Sequence, residues 1–420
     1  MRTGTCLILC LVASLLILAA PGAAPVGRSF PIRAEADDEW HPTIAYNSQW
    51  QEYVVVLWND RPGNDDLRAE RVSRHGRLLG GRWLAAGPGA DRRHPDVAYN
   101  SKRNEYLVVW EEEWSGESLI RSQRFSADLE PMPEGSRTLS ADPIANVVSK
   151  RPAVAYAFTA DKYLVAWDRH TISPGRTHIM GAVVNADGDP QMGGAFVISE
   201  DPGDEHRREP DLAYNRHANG FLVVWQQVDS GNVWDIHGQL VNGDGSIPPS
   251  FQPITIADDL RDCTMPAVAA IPTAPGQYKY LVVWEYAWSP PADTHIRGRL
   301  VGEGGAPHPT PMFIATEPVA ETVPAVAGSE MGHRYLVAWT QAHPGTVLGS
   351  FIGAREVSSA GAMTQEPRGI WGPWADNAAV SAGHDGDFLV AFDDTPDGSR
   401  DVYGLLWGTR VYLPLVLRRR

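Results

Sequence analysis

Cysteine is scarce in this chain. Three occur in 420 residues, and two of them, Cys6 and Cys10, sit in an apolar N-terminal leader. Only Cys263 remains in the body of the protein, so no internal disulfide is available there and stability has to come from packing. The sequence puts no base beside Cys263, which reads as a small, partly buried residue and not as a reactive thiol. Basic residues are also in deficit, with 36 Lys and Arg against 51 Asp and Glu, for a formal net charge of -15. That balance excludes nonspecific nucleic-acid binding, which depends on cations to neutralise phosphates, and suits a cationic ligand or a metal better. Long hydrophobic runs are missing except for Cys6 to Ala20, which falls short of the roughly 20 residues of a spanning helix. With Arg2 before it and small residues and prolines after it, this run has the make-up of a secretory signal peptide over residues 1–24. The expected location is secreted, extracellular or at the cell surface, with no membrane span in the mature chain.

Local catalytic signatures are absent too. The histidines are scattered without HExxH or another ligand spacing, so zinc has no support. No GxSxG elbow and no phosphate-binding glycine loop occurs. The SxDxGxxW turn that sialidase-like chains share is missing, and nothing matches a quinone-binding dehydrogenase repeat.

What the sequence does contain is one phrase written seven times. "HPTIAYN" begins at His41, "HPDVAYN" at His94, "RPAVAYA" at Arg151 and "EPDLAYN" at Glu209, with related stretches at Met265, Val323 and Asn377. The residues in the proline position are Pro42, Pro95, Pro152, Pro210, Pro266, Pro324 and Ala378, and they step by 53, 57, 58, 56, 58 and 54 residues. A steady period of this size marks a repeat architecture. Each period holds four strand-like pieces, as in "PDLAYN", "FLVVW", "DIHGQLV" and "FQPITI", separated by Gly, Pro, Asn and Asp. In "YLVVW" both alternating faces are apolar, which buries the strand on both sides. Large residues recur at Trp58, Trp110, Trp167, Trp225, Trp284, Trp339 and Phe392, opposite small ones at Ala45, Ala98, Ala155, Ala213, Ala269, Ala327 and Ser381. The expected fold is an all-β, seven-bladed β-propeller of four-stranded antiparallel blades over residues 29–407. A fourth-strand phrase is missing after the seventh copy, whereas "SFPIRAE" at residues 29–35 stands unpaired at the start, so this N-terminal strand is expected to close the ring. Residues 408–420 form a C-terminal tail whose run from Val411 to Leu417 is too short to span a bilayer and reads as an added edge strand.

On "YLVVWEEE", "DIHGQLVNGDG" and "FVISEDPGDE", the chain resembles a group of secreted bacterial repeat proteins built from phrases like PAVAYN, YLVVWED, DIYGARV and FPIS. The resemblance covers roughly residues 29 to 407 and implies a propeller outside the cytoplasm; it implies no activity.

If the strands run up and down in order, the loops between second and third strands share a face with those leading into the next blade. That face is rich in carboxylates with aromatics among them. Trp114, Trp234, Tyr286 and Trp288 are the expected ligand-binding residues, supplying stacking surface for an extracellular glycan or protein. Ring closure would set Asp60, Asp65 and Asp66 beside Asp393, Asp394, Asp397 and Asp401, an expected cation site with calcium as the candidate ion and no other cofactor. The turns "NADGDP" and "NGDGSI" are explained by hairpin chemistry instead. The expectation at this point is a non-catalytic binding or interaction propeller and not an enzyme. The alternative is a metal-assisted carboxylate glycoside hydrolase or lyase acting on extracellular polysaccharide, whose paired carboxylates would come from different blades and leave no local motif.

Overall fold

The structure is a computed structural model that describes residues 29–35, 37–61, 63–140, 147–171, 175–191, 193–199, 206–228, 231–289, 293–342, 349–363, 367–370, 374–396 and 398–408. The leader at residues 1–24 and the tail from residue 409 onward lie outside the described residues, as does Asp397.

Every described element is a β-strand, and the strands group in fours. In the first repeat Asp38–Asn47, Glu52–Arg61, Asn64–Ser73 and Leu78–Ala85 pair antiparallel in that order. The same order recurs along the chain, so hydrogen bonding is satisfied between consecutive segments joined by short turns. Two neighbouring sets share one eight-stranded sheet, but only through a parallel contact between Val148 and Ser118. The sets are arranged around an axis. Their innermost strands are Asp38–Asn47, Asp91–Asn100, Val147–Ala157, Arg207–Asn215, Cys263–Ala270, Glu321–Ser329 and Asp376–Ala382. Each packs against the next, and the last packs against the first. This is a closed β-propeller.

Closure is made as the sequence suggests. Phe30–Arg33 pairs antiparallel with Asp401–Trp407 and supplies the outer strand of the last set. The fit is specific to one side chain. A Cβ placed on Gly181, Gly238 or Gly298 would meet Ile198, Ile256 or Ile314, in or directly after its own outer strand, at 2.8, 3.0 and 2.7 Å. At the equivalent Gly404 the same role falls to Ile32, whose Cδ1 would lie at 2.8 Å. Ile32 is buried, and it serves the last set as those isoleucines serve the inner ones.

The repeated X-Pro step shapes the inner edge. Proline has no N–H to give to the ladder, and each inner strand shifts register across this point. His41, His94, Arg151, Glu209, Met265, Val323 and Asn377 all take a positive φ between 46° and 54° there. Such a conformation is uncommon for residues other than glycine, and its presence in every repeat makes it architectural. The bulge turns the backbone N–H toward the preceding blade, where the residue after the core aromatic accepts it. Glu111 Oε2 holds Arg151 N at 3.4 Å, Gln226 Oε1 holds Met265 N at 2.8 Å and Glu285 Oε1 holds Val323 N at 2.6 Å. Asp393 Oδ2 holds His41 N at 3.3 Å and repeats the clamp across the closure.

Between the blades, Trp110, Trp167, Trp225, Trp284, Trp339 and Phe392 are buried as their periodicity requires. Trp58 departs from the expectation. It is half-buried, stacked on Trp40 with ring centroids 5.6 Å apart, and the Arg93 guanidinium lies 5.7 Å from its ring. Toward the other end of each blade, the last residue of the inner strand faces the second-strand aromatic of the next blade. Asn47 Nδ2 donates to the Tyr106 hydroxyl at 3.0 Å, and Asn100 and Asn215 stand beside the hydroxyls of Tyr163 and Tyr280. Where that aromatic is Phe221 or Phe388, with no hydroxyl to satisfy, the facing positions are Ala157 and Ser329.

Candidate functional site

The bulge residues share one end of the axis, the end that also carries the turns between second and third strands. Their architecture is uniform but their chemistry is not. His41, His94, Arg151 and Glu209 form a polar arc, whereas Met265 and Val323 make the opposite side apolar. Within the arc the His41 and His94 rings lie 5.8 Å apart. His94 Nδ1 is 3.1 Å from Glu111 Oε2, and Glu111 also takes the Ser118 hydroxyl at 3.1 Å, with Lys150 Nζ 3.4 Å away. Arg151 bridges two carboxylates. Its Nε is 3.0 Å from Glu209 Oε1 and its Nη1 is 3.2 Å from Asp168 Oδ2. The Asp168 side chain is fully buried, while that of Glu209 keeps 19% of its surface exposed.

The arc drives its two glutamates in opposite directions. Burial raises the Glu209 carboxyl above its usual range, only partly offset by Arg151. Burial also works against ionisation of Glu111, but the hydrogen bond from His94 and the charges of His94 and Lys150 outweigh it and hold that carboxyl below its usual range. Burial lowers His41 to about 4, with His94 adding to the effect. An ionised Glu111 can only accept, so the proton of this contact sits on His94 Nδ1. A carboxyl raised above its usual range beside a carboxylate–imidazole pair is an arrangement suited to giving a proton on one side and taking one on the other.

Two residues deeper, the inner strands place Asp96 and Asp211 where the other repeats have Thr43 or alanine. Asp96 accepts from the Thr43 hydroxyl at 2.8 Å and from Val154 N at 2.7 Å, tying three blades together. Asp211 accepts from Val268 N at 2.7 Å. Burial pushes Asp96 up to about 6 and Asp211 up to about 7, and the charge of Asp96 adds to the rise at Asp211.

The expected ligand aromatics lie away from this arc. Trp114 is 62% exposed at the end of its strand. Trp234 is half-buried under the Arg208 guanidinium, 5.9 Å away. Tyr286 is buried; its hydroxyl donates to Asp259 Oδ1 at 3.2 Å and Arg297 lies 4.4 Å over its ring. Trp288 remains 45% exposed, near Phe313 at 40%. Four of the expected cation residues, Asp65, Asp66, Asp393 and Asp394, are held by protein donors. Asp65 pairs with Arg93, and Asp66 with Arg92 at 3.1 Å and Arg61 at 3.7 Å. Asp393 pairs with Arg400 at 2.8 Å and accepts from Asn377 Nδ2 at 2.9 Å. Asp394 caps Trp374 N and Thr395 N, Asp401 is buried near Glu39, and Asp60 is exposed. Burial pushes the lone Cys263 thiol up to about 12, in keeping with an inert residue.

Sequence reasoning overlooked His94, Glu111, Arg151, Glu209, Asp96 and Asp211. The signal was present: the residue before each proline changes chemistry from copy to copy, while its neighbours hardly change.

No protein-family model matches the chain, and no curated protein matches it in sequence. Solved structures are similar in shape. A protein of unknown function from Dyadobacter fermentans aligns with TM-score 0.55 at 10% identity, over 93% of this chain and 100% of that one. The GH93 α-L-arabinofuranosidase of Fusarium graminearum, solved with arabinobiose, aligns with TM-score 0.51 at 15% identity, over 75% of this chain and 92% of that one. The intramolecular trans-sialidase from Ruminococcus gnavus aligns with TM-score 0.48 at 8% identity, over 91% and 97%. At these identities the likeness shows the propeller fold. It also corrects one expectation. The similar structures of stated activity include glycosidases, which overturns both the choice of a non-catalytic interaction propeller and the reading of the chain as no enzyme.

Proposed function

We propose that this chain is a seven-bladed propeller glycoside hydrolase, secreted by way of the apolar leader, that acts on polysaccharide outside the cell. In this reading its sequence phrases mark it as a relative of the secreted bacterial repeat proteins they resemble. The observation that carries the proposal is the pair of oppositely shifted glutamates around Arg151 at the axial end: Glu209, raised by burial, and Glu111, lowered by His94 and Lys150. Glu209 acts as the acid that protonates the departing sugar oxygen. Glu111 and the His94 ring it holds form the basic side that takes a proton from water. Arg151 positions Glu209 and is itself held by Asp168. The apolar side of the ring, Met265 and Val323, faces the C–H surface of the sugar.

The test is an assay of the mature protein on aryl glycosides and on arabinan and xylan, with reducing ends measured. Glu209→Gln and His94→Ala should each lower kcat by about 10²- to 10⁴-fold with melting unchanged. Release of products at the same rate by Glu209→Gln would remove the assignment, and a wild-type protein inert on the whole panel would remove the hydrolase reading.

A further inference from the structure

An aromatic surface on the rim of the same face takes no part in the chemistry proposed for the axis. Trp288 lies next to the end of the second strand of its blade, Tyr278–Ser289, four positions beyond the core residue Trp284, and Phe313 belongs to the outermost strand of that blade. Glu209 stands on an innermost strand of the preceding blade, so the two places are separate. Both rim rings are exposed over less than half of their surface, with centroids 6.5 Å apart, and Leu260 in the adjoining loop is almost fully exposed. Apolar groups held out in water at a fixed geometry are a liability unless something is bound there.

Polar groups accompany them. The Arg261 guanidinium lies 5.2 Å from the Trp288 ring, and no carboxylate pairs with it among the described residues. Beneath Trp288 is His295, buried, with ring centroids 5.6 Å apart. His295 Nδ1 faces Glu321 Oε2 at 3.6 Å and Asp293 Oδ1 at 3.8 Å, too far for hydrogen bonds, and none of the three atoms has a hydrogen-bond partner. Burial pushes Glu321 up to about 8. The Asp293 side chain keeps 24% of its surface exposed near these rings, so its carboxylate and the Arg261 guanidinium offer hydrogen bonds to a hydroxyl-rich ring with an apolar C–H face.

We propose that Trp288, Phe313 and Arg261 form a second carbohydrate site that holds a neutral sugar residue of the polysaccharide, with Trp288 as the stacking surface and Arg261 and Asp293 binding hydroxyls. A protein partner fits less well. A stable protein interface buries about 800 Å² on each side, far more than two rings and a leucine offer. A polyanionic glycan is disfavoured by Asp258, Asp259 and Asp262, which flank Arg261. The choice of a sugar rests on the hydrolase reading, but the site is physically separate from it.

The experiment is calorimetric titration of the full mature chain with neutral arabino- and xylo-oligosaccharides and with an oligogalacturonate, using wild type, Glu209→Gln, Trp288→Ala and Arg261→Ala. The expected result is binding of a neutral oligosaccharide by wild type and by Glu209→Gln, about tenfold weaker in Trp288→Ala and weaker in Arg261→Ala, with unchanged melting. Equal binding by Trp288→Ala overturns the proposal, as does tighter binding of the galacturonate or the failure of every oligosaccharide to bind at millimolar concentration. If wild type hydrolyses nothing but Trp288-dependent binding persists, the hydrolase reading falls and the rim site stands.

Discussion

Gly383 leaves open the space that the Tyr53 hydroxyl occupies. Gly383 directly follows the inner strand Asp376–Ala382 of the last repeat, at the position where Asn47, Asn100 and Asn215 stand in other copies, and a Cβ there would be driven into the Tyr53 oxygen. Around this seam lie Tyr46, Arg74, His75, His384, Asp385 and Asp387, which line a small polar pocket on the end of the ring away from the axial arc.

Gly383→Ala should therefore destabilise the protein by about 1 to 3 kcal/mol through overpacking. Tyr53→Phe removes the oxygen in conflict and should restore most of that loss in the double variant. Additive losses in thermal melts of the two single variants and the double would show that the residues do not meet.

Ile32→Ala should cost about 2 to 5 kcal/mol, the range for truncating a buried aliphatic side chain. Deleting residues 29–35 should do more, because it strips the outer strand from Asp401–Trp407 and leaves an open sheet edge. The check is denaturant melting together with light scattering; a truncated chain that melts and stays monodisperse like the parent would contradict the latch.

Tryptophans of one composition should behave in two ways. Trp225→Ala empties a fully buried site between blades and should cost about 3 to 5 kcal/mol. Trp114→Ala removes a largely exposed ring and should cost less than about 0.5 kcal/mol. Similar shifts in the midpoint of chemical denaturation would refute the division.

Asp211 gives the fold a pH dependence of definite sign. It ionises near 3.8 when unfolded and near 7 in the folded ring, so between those values the folded protein keeps a proton that the unfolded chain has lost. Stability then falls as pH rises through this window and levels off above it. Asp211→Asn should raise Tm at pH 8 relative to wild type and leave it nearly unchanged at pH 4. A constant difference in Tm between the two proteins from pH 4 to pH 8 would count against a burial-raised carboxyl.

Much of the architecture was legible because it is written as repetition from copy to copy. The four-strand period, the buried tryptophans and the missing outer strand all follow from alternation and spacing, which local residues determine. Trp58 was misjudged because its exposure depends on Trp40, a residue outside the repeated phrase. The acidic cluster was judged by sequence proximity and ring closure alone. Arg92 and Arg93, which neutralise Asp66 and Asp65, come from the next blade and are far away in sequence. The Glu111, Arg151 and Glu209 grouping joins three repeats and has no one-dimensional signature. Its trace was variation at a bulge position whose geometry only the folded ring reveals.

The N-terminal closing strand also imposes an order of assembly. Phe30–Arg33 is made before the other described strands, and its partner Asp401–Trp407 is made after them. The clamp between His41 and Asp393 joins residues 352 positions apart. No ring can form while the chain is still emerging. The earliest strand stays without this partner until Asp401–Trp407 has been made, and closing the ring then requires a contact of very long sequence separation. Until then the segment that Phe30–Arg33 pairs with is absent, and any sheet edge left open in the meantime is the kind of surface that mispairs between chains.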